Sequence, residues 1–176
     1  MLVNSNTLLQ HALKEGYAIP AYNINNLEWT RFILEVCNDD KSPVILAVTP
    51  KSIEYFGGYK IVVNTVKSLI DELNIKIPVV LHLDHGKTIE QCKLAIDAGF
   101  TSVMLDASDK SLQDNINDTN EVVSYAKEKE VSVEAEIGSM NNESNENLAN
   151  AEDAKRFVLE TGINSLAPAV GNLHGV

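Results

Sequence analysis

The feature that most constrains this chain is a rhythm. Short apolar runs alternate with segments of helical period, and the pair recurs about every 29 residues, the length that a strand, a crossover helix and two turns need. Residues 17–22 (YAIPAY), 43–48 (PVILAV), 78–83 (PVVLHL), 102–105, 131–137 and 163–167 read as strands. Residues 27–38, 59–74, 89–98, 112–129 and 151–161 read as the helices between them, from apolar side chains spaced three and four apart. In the first of these, Leu27, Phe32, Ile33, Val36 and Cys37 are expected to face inward. In the second, Ile61, Val62, Val66, Leu69, Ile70 and Leu73 take that place. Gly99 and Gly162 stand where two of the helices should stop. The runs at 43–48 and 78–83 are continuously apolar, as in strands covered on both faces. The pattern is (βα)5β, a parallel α/β sheet clothed in helices, in one domain spanning residues 1–176.

Two architectures share that pattern, a doubly wound open sheet and the TIM (β/α)8 barrel. The placement of polar residues favours the barrel. Asn23 and Asn25 follow the first strand, Thr49 the second, and His82, Asp84 and His85 the third. Asp106 follows the fourth, Glu134 and Glu136 lie in the fifth, and His174 comes after the sixth. Barrel sites are assembled this way, from the C-terminal ends of many strands, whereas a doubly wound sheet concentrates its site at a switch point. No G-x-G-x-x-G follows the first strand, which argues against a dinucleotide site. Eight units of this length need ~250 residues, so the chain is expected to form an incomplete barrel lacking its last two strands.

Charge and composition exclude some partners. The chain has 25 acidic and 14 basic side chains, a net charge of −11, so broad nucleic-acid binding is not expected. No apolar run reaches the ~18 residues that would suggest a membrane span. The first residues, MLVNSNTLLQH, lack the basic and apolar regions of a secretory signal. Cys37 and Cys92 both fall at apolar helical positions and read as buried free thiols, which points to the cytoplasm.

The chemistry concentrates in His82-Leu83-Asp84-His85-Gly86. Alternate side chains of a strand face the same way, so His82 and Asp84 share a face and His85 opens the following loop. Imidazole with carboxylate suits proton transfer and a divalent transition metal. Asp106 at a strand end, and Glu134 and Glu136 two apart in VEAEIG, add carboxylates where burial demands a partner charge or a metal. Gly171-Asn172-Leu173-His174-Gly175 sets a histidine between glycines, and glycines let backbone N–H groups approach an anion.

The run HLDHG, followed by CKLAIDAGFTSVMLDAS, VSVEAEIG and SLAPAVGNLHG, with NINNLEW near the start, strongly resembles the class II fructose-bisphosphate aldolases and their tagatose-bisphosphate relatives. The likeness runs from about Leu8 to Gly175. It implies a zinc-dependent barrel that reversibly cleaves fructose 1,6-bisphosphate to dihydroxyacetone phosphate and glyceraldehyde 3-phosphate. By that resemblance His85 and His174 are two of three histidine ligands of a catalytic Zn2+. Asp84 is the acid/base at the C4 hydroxyl. Asp106 and Glu136 serve a second divalent or monovalent cation, or an alternative position of a mobile zinc. Asn23, Thr49 and Gly175 lie near the phosphorylated substrate.

The chain also departs from the family pattern. A loop with a glycine pair and a catalytic glutamate normally follows the E-x-G that is here Glu136-Ile137-Gly138. In its place stands SMNNESNEN, in which Glu143 is the candidate for the proton transfer at C3, or else part of a solvated polar loop. Thr49-Pro50-Lys51 resembles the tagatose-type enzymes and LDHGKTIEQCKLAIDAGF the fructose type, so both epimers stand as substrates. The expected partners are a phosphorylated ketose and either a missing C-terminal segment or further copies of the chain, and without the third zinc histidine the chain alone is expected to be weakly active or inactive. A non-catalytic relative that oligomerises through open sheet edges is the alternative reading.

Overall fold

The computed structural model of the chain describes residues 1–138 and 148–171. In chain order its elements are α1 (Ser5–Glu15), β1 (Ala21–Asn23), α2 (Leu27–Asp39), β2 (Val44–Val48), α3 (Pro50–Phe56), α4 (Tyr59–Glu72) and β3 (Val79–Gly86). Then follow α5 (Ile89–Ala98), β4 (Ser102–Leu105), α6 (Leu112–Lys127), β5 (Ser132–Ile137), α7 (Ala151–Thr161) and β6 (Ser165–Pro168). The six strands form one all-parallel sheet in the order β1-β2-β3-β4-β5-β6. It curls into part of a TIM-type barrel, as the alternation of elements predicts.

Strand pleating divides the side chains between two environments. Val44, Leu46 and Val48, Val79, Leu81 and Leu83, Val103 and Leu105, and Val133 point to the helices and join one continuous core. The alternate set faces the inside of the curl. It includes Asn23, His82, Ser102, Glu134 and Glu136, which is why polar side chains interrupt otherwise apolar strands. The helices are capped as their sequences suggest. Asn26, Thr49, Thr88, Ser111 and Asn150 each accept a backbone N–H at a helix start. Gly99 and Gly162 end α5 and α7 with φ of 110° and 66°, conformations open to glycine.

Several expectations are corrected. α1 and α3 were not anticipated. α1 crosses the N-terminal end of the sheet, where Ser5 donates through its backbone N–H (3.0 Å) and its hydroxyl (2.8 Å) to Ser132 Oγ. The chain before it pairs with β3 through Val3 N to Val79 O at 2.9 Å. α3 begins at a proline and ends at Gly57, signals that read equally well as a turn. The inward face of α2 is also different. Thr30, Leu34 and Cys37 are buried, while Leu27, Phe32 and Val36 are 52%, 59% and 60% exposed. The buried stripe was hidden by Thr30, whose hydroxyl satisfies itself on Asn26 O at 2.7 Å and so tolerates full burial. In α4, Val63 is buried and Ile61 is half exposed. Both cysteines are buried free thiols, as expected. No helix among the described residues is long and apolar enough to cross a membrane.

Candidate functional site

β3 does not end at Leu83 but continues to Gly86, and it does so through a bulge. Leu83 lies opposite Val103 and Gly86 opposite Leu105, so β3 spends three steps where β4 spends two. The additional residue changes the direction of the side chains after it. His85 adopts φ of 53°, a left-handed conformation that costs a non-glycine residue on the order of 1 kcal/mol. His85 therefore does not open a loop, as alternation predicts. The bulge aims its ring at the ends of β4 and β5.

There it meets two buried carboxylates. His85 Nδ1 donates to Asp106 Oδ2 at 2.9 Å and lies 3.8 Å from Glu136 Oε2. His85, Asp106 and Glu136 each offer one ligand atom, all within 4.8 Å of one another. Asp106 comes from the residue after β4, and its N–H donates to Gly86 O at 2.8 Å, locking the bulge to the fourth strand. Glu136 lies in β5, and its backbone carbonyl accepts from Asn115 Nδ2 of α6 at 2.8 Å. On the other flank, Asp84 Oδ1 is 3.9 Å from His85 Nε2, and Asp84 Oδ2 accepts from Asn23 Nδ2 of β1 at 3.1 Å. Three of the sequence-nominated residues, Asp84, Asp106 and Glu136, thus surround His85, and a fourth, Asn23 of β1, reaches Asp84.

The electrostatics follow from the partners. Burial alone would raise the Asp106 pKa. Hydrogen bonds from His85, Lys87 and Ser108, with the charge of Lys87, outweigh it and hold this carboxyl well below the usual carboxylate range. The bond to Asp106 raises His85 above the ordinary imidazole value against the opposing effect of burial. Deeper in the curl, burial pushes His82 down to about 4. Its Nδ1 pairs with Ser102 Oγ at 2.8 Å and its Nε2 lies 3.6 Å from Glu134 Oε2. Burial raises Glu134 in turn. The neutral His82 is a packed interior group, one layer below the cluster.

Thr49 belongs to a second network. Its hydroxyl caps α3 by accepting Ser52 N at 3.2 Å, and Ser52 Oγ donates to Asn25 Oδ1 at 2.6 Å. Glu143, His174 and Gly175 lie outside the described residues. Sequence reasoning missed Lys87 and Ser108. Lys87 Nζ donates to Asp106 Oδ2, and Ser108 donates to Asp106 Oδ1 through Oγ at 2.7 Å and its backbone N–H at 3.3 Å. The Asp-x-Ser spacing carries the signal for the second, a side chain closing a turn on its own backbone. The first has no local signal.

A curled parallel sheet with an imidazole–carboxylate cluster at the C-terminal ends of its strands is a (β/α)-barrel site, of a donor set that suits a divalent cation. Comparison with known proteins narrows the class. The family described as "Fructose-bisphosphate aldolase class-II" matches residues 3–176, and the chain belongs to that family. It is 47% identical over 180 residues to the fructose-bisphosphate aldolase of Geobacillus stearothermophilus, covering 99% of this chain and 63% of that protein. It is 48% identical over 178 residues to the 6-phospho-5-dehydro-2-deoxy-D-gluconate aldolase of Bacillus licheniformis, covering 98% and 61%. Among solved structures, the YdjI aldolase from Escherichia coli K12 superposes with a TM-score of 0.87 at 30% identity, covering 100% of this chain and 63% of that one. The fructose-bisphosphate aldolase from Campylobacter jejuni shares the fold with a TM-score of 0.82 at 24% identity, covering 99% and 59%. The chain thus spans a little under two thirds of the length of the relatives it matches.

Proposed function

We propose that the protein acts as a zinc-dependent class II aldolase, cleaving a phosphorylated ketose between C3 and C4 to give dihydroxyacetone phosphate and an aldehyde. The observation that carries this reading is the convergence of His85, Asp106 and Glu136 within 4.8 Å, with the Asp84 carboxylate beside them. One imidazole and two buried carboxylates suit a divalent cation, whose charge would offset that of the acids. His85 and His174 would hold the catalytic Zn2+, with Asp106 and Glu136 at a second cation position. When bound, the cation supplies Lewis-acid polarisation of the ketose carbonyl and adjacent hydroxyl, which lowers the cost of the carbanion left by cleavage.

The remaining work falls to the chain's own side chains. Asp84 takes the proton of the C4 hydroxyl as the bond breaks and returns it in the condensation direction. Asn23 holds Oδ2 of that carboxylate, so the group keeps one orientation between turnovers. Glu143 would move the proton at C3. Thr49 and Gly175 would meet a substrate phosphate, Thr49 by turning its hydroxyl hydrogen to the phosphate from Ser52 Oγ, 3.0 Å away. Two buried thiols fit a reducing compartment, and this reading puts the protein in the cytoplasm.

Fructose 1,6-bisphosphate is the first substrate to test, with tagatose 1,6-bisphosphate as its C4 epimer. The name of the Bacillus licheniformis relative adds 6-phospho-5-dehydro-2-deoxy-D-gluconate as a third. Triose phosphate release from each is followed with zinc, after chelation, and after zinc is restored. Weak turnover that chelation abolishes and zinc restores, and that Asp84→Asn removes without unfolding, is the expected result. Chelator-insensitive turnover would sink the metal assignment. A folded, zinc-loaded protein inert toward all three would sink the aldolase assignment for the chain.

A further inference from the structure

Asp106 is fully occupied before any ion arrives. An ionised carboxylate has about four acceptor positions, and all four are taken. Ser108 fills two on Oδ1, through N–H and Oγ. His85 Nδ1 and Lys87 Nζ fill two on Oδ2. A cation that joins His85, Asp106 and Glu136 must therefore displace a donor. The two Ser108 bonds close a local turn, and His85 is itself a ligand candidate. Lys87 is different in kind. Its side chain is 54% exposed while Asp106 is 1% exposed, so an ammonium on a flexible stem reaches from solvent into a buried acid. Its backbone is pinned, because Lys87 N donates to Gln91 Oε1 at 2.8 Å and the Thr88 cap starts α5 one residue on. The stem can swing without moving the site.

We infer that Lys87 is a tethered counter-ion that holds the place of a divalent cation on Asp106 and is expelled when the ion binds, so that this one residue sets the cluster's affinity for metal. An ammonium and a divalent cation on one carboxylate oxygen repel each other strongly in a partly dry site, and occupation is exclusive. Without the ion, the ammonium offsets the carboxylate charge that burial makes costly. With the ion, Lys87 returns to water at little cost, its stem being already half exposed. The inference rests on the cation site proposed above.

Cobalt(II) is the probe, because its visible absorption reports binding directly. The chelator-stripped full chain, Lys87→Met and Lys87→Arg are each titrated with Co2+, with thermal melts to verify folding. Lys87→Met should bind about tenfold more tightly than wild type, the scale of losing one charge-assisted competitor, and Lys87→Arg should stay near wild type. In parallel, lysine acylation read by mass spectrometry on the wild-type chain should show Lys87 becoming several-fold more reactive when Co2+ is added. That measurement holds even if the methionine variant fails to fold. Equal Co2+ affinity in wild type and a folded Lys87→Met overturns the inference and leaves the cation site standing, as does acylation of Lys87 unchanged by bound metal. Absence of Co2+ binding in every variant overturns both.

Discussion

Gly86 is where the fold and the site are joined, and replacing it with alanine tests that junction. A Cβ at this position would lie 2.8 Å from Met104 O, 2.8 Å from Leu83 Cδ2 and 3.2 Å from Cys92 Sγ. Two of those neighbours are fully buried side chains and one is a strand carbonyl, so none is a loose end that can turn aside. Overpacking of this kind costs roughly 1–3 kcal/mol. Relief by separating β3 from β4 would strain the 2.8 Å bond from Asp106 N to Gly86 O, worth a further ~1 kcal/mol. Against this stands the lower unfolded-state entropy of alanine, a gain of about 0.4–1 kcal/mol. The net expectation is a loss of about 2 kcal/mol, or a fall in melting temperature of ~4–8 °C for a chain of this length.

Urea denaturation followed by far-ultraviolet circular dichroism supplies the measurement, with Gly16→Ala as the comparison. Gly16 has φ of 74° and nothing within 4 Å of an added Cβ, so its variant isolates the left-handed backbone cost, about 1 kcal/mol. The Gly86 variant isolates close approach. If the shift is steric, Gly86→Ala should also weaken Co2+ binding, because the strain falls on the bulge that aims His85. A midpoint for Gly86→Ala within ~0.5 kcal/mol of wild type, the range of innocuous surface changes, would refute the packing argument and the placement of β3 against β4.

Further outcomes follow from the same geometry. His82 has a folded pKa near 4 against 6.5 unfolded, so the unfolded chain takes up a proton that the folded one refuses. Stability should be unaffected by this group above pH 6.5 and fall by up to ~3 kcal/mol as pH drops toward 4; the difference between wild-type and His82→Gln denaturation curves, in chelator, should show that slope, and parallel curves would count against burial of a neutral ring. Burial pushes the Cys92 thiol up to about 12 and raises Cys37 as well, so neither should react with a disulfide reagent at pH 8 until denaturant is added; rapid native labelling of Cys92 would contradict its burial. Asp106→Asn should destabilise by about 2–3 kcal/mol and abolish Co2+ binding, since an amide can accept from neither Lys87 nor His85 through its nitrogen; a variant as stable as wild type would mean the four bonds to Asp106 are not formed together.

The contrast between what was legible and what was not has a physical cause. β2 to β6 are readable because their outward residues pack into two apolar clusters, while polar side chains such as His82, Ser102, Glu134 and Glu136 mark the inward face among apolar ones such as Ile45 and Val80. α1 is the harder element to place, because of the apolar series Leu8, Leu9, Ala12 and Leu13 at helical spacing only Ala12 is fully buried. The face of α2 was misread because its exposed side carries Leu27, Trp29, Phe32 and Val36, more apolar surface than its buried side. Asp84, Asp106 and Glu136 lie at or near strand ends, where the sequence places them, yet their meeting depends on the bulge at His85, which no alternation rule encodes. Lys87 was invisible for a related reason. A lysine before a helix reads as solvated, and its buried partner lies 19 residues away across the sheet.

The two ends of the same strands are held by different physics. At the N-terminal end the links are neutral hydroxyl and backbone bonds: Ser5 to Ser132, Ser132 Oγ to Thr101 O at 3.2 Å, and Leu81 N to Thr101 Oγ1 at 3.0 Å. These bonds are complete within the chain and ask nothing of solvent or ligand. At the C-terminal end the links involve charged groups and two of them reach past a neighbouring strand: Asn23 of β1 to Asp84 of β3, His85 of β3 to Asp106 after β4, and His85 beside Glu136 of β5. Charged links of this kind stabilise only when their sum is balanced, because removing one partner leaves a buried charge costing several kcal/mol. Such an end is therefore sensitive to ions, whereas the other end is not. Ion binding should move stability through β3, β4 and β5 at their C-terminal ends and leave the α1–β5 contact unchanged. A single chain can thus keep a rigid floor while its opposite rim exchanges an ammonium for a metal.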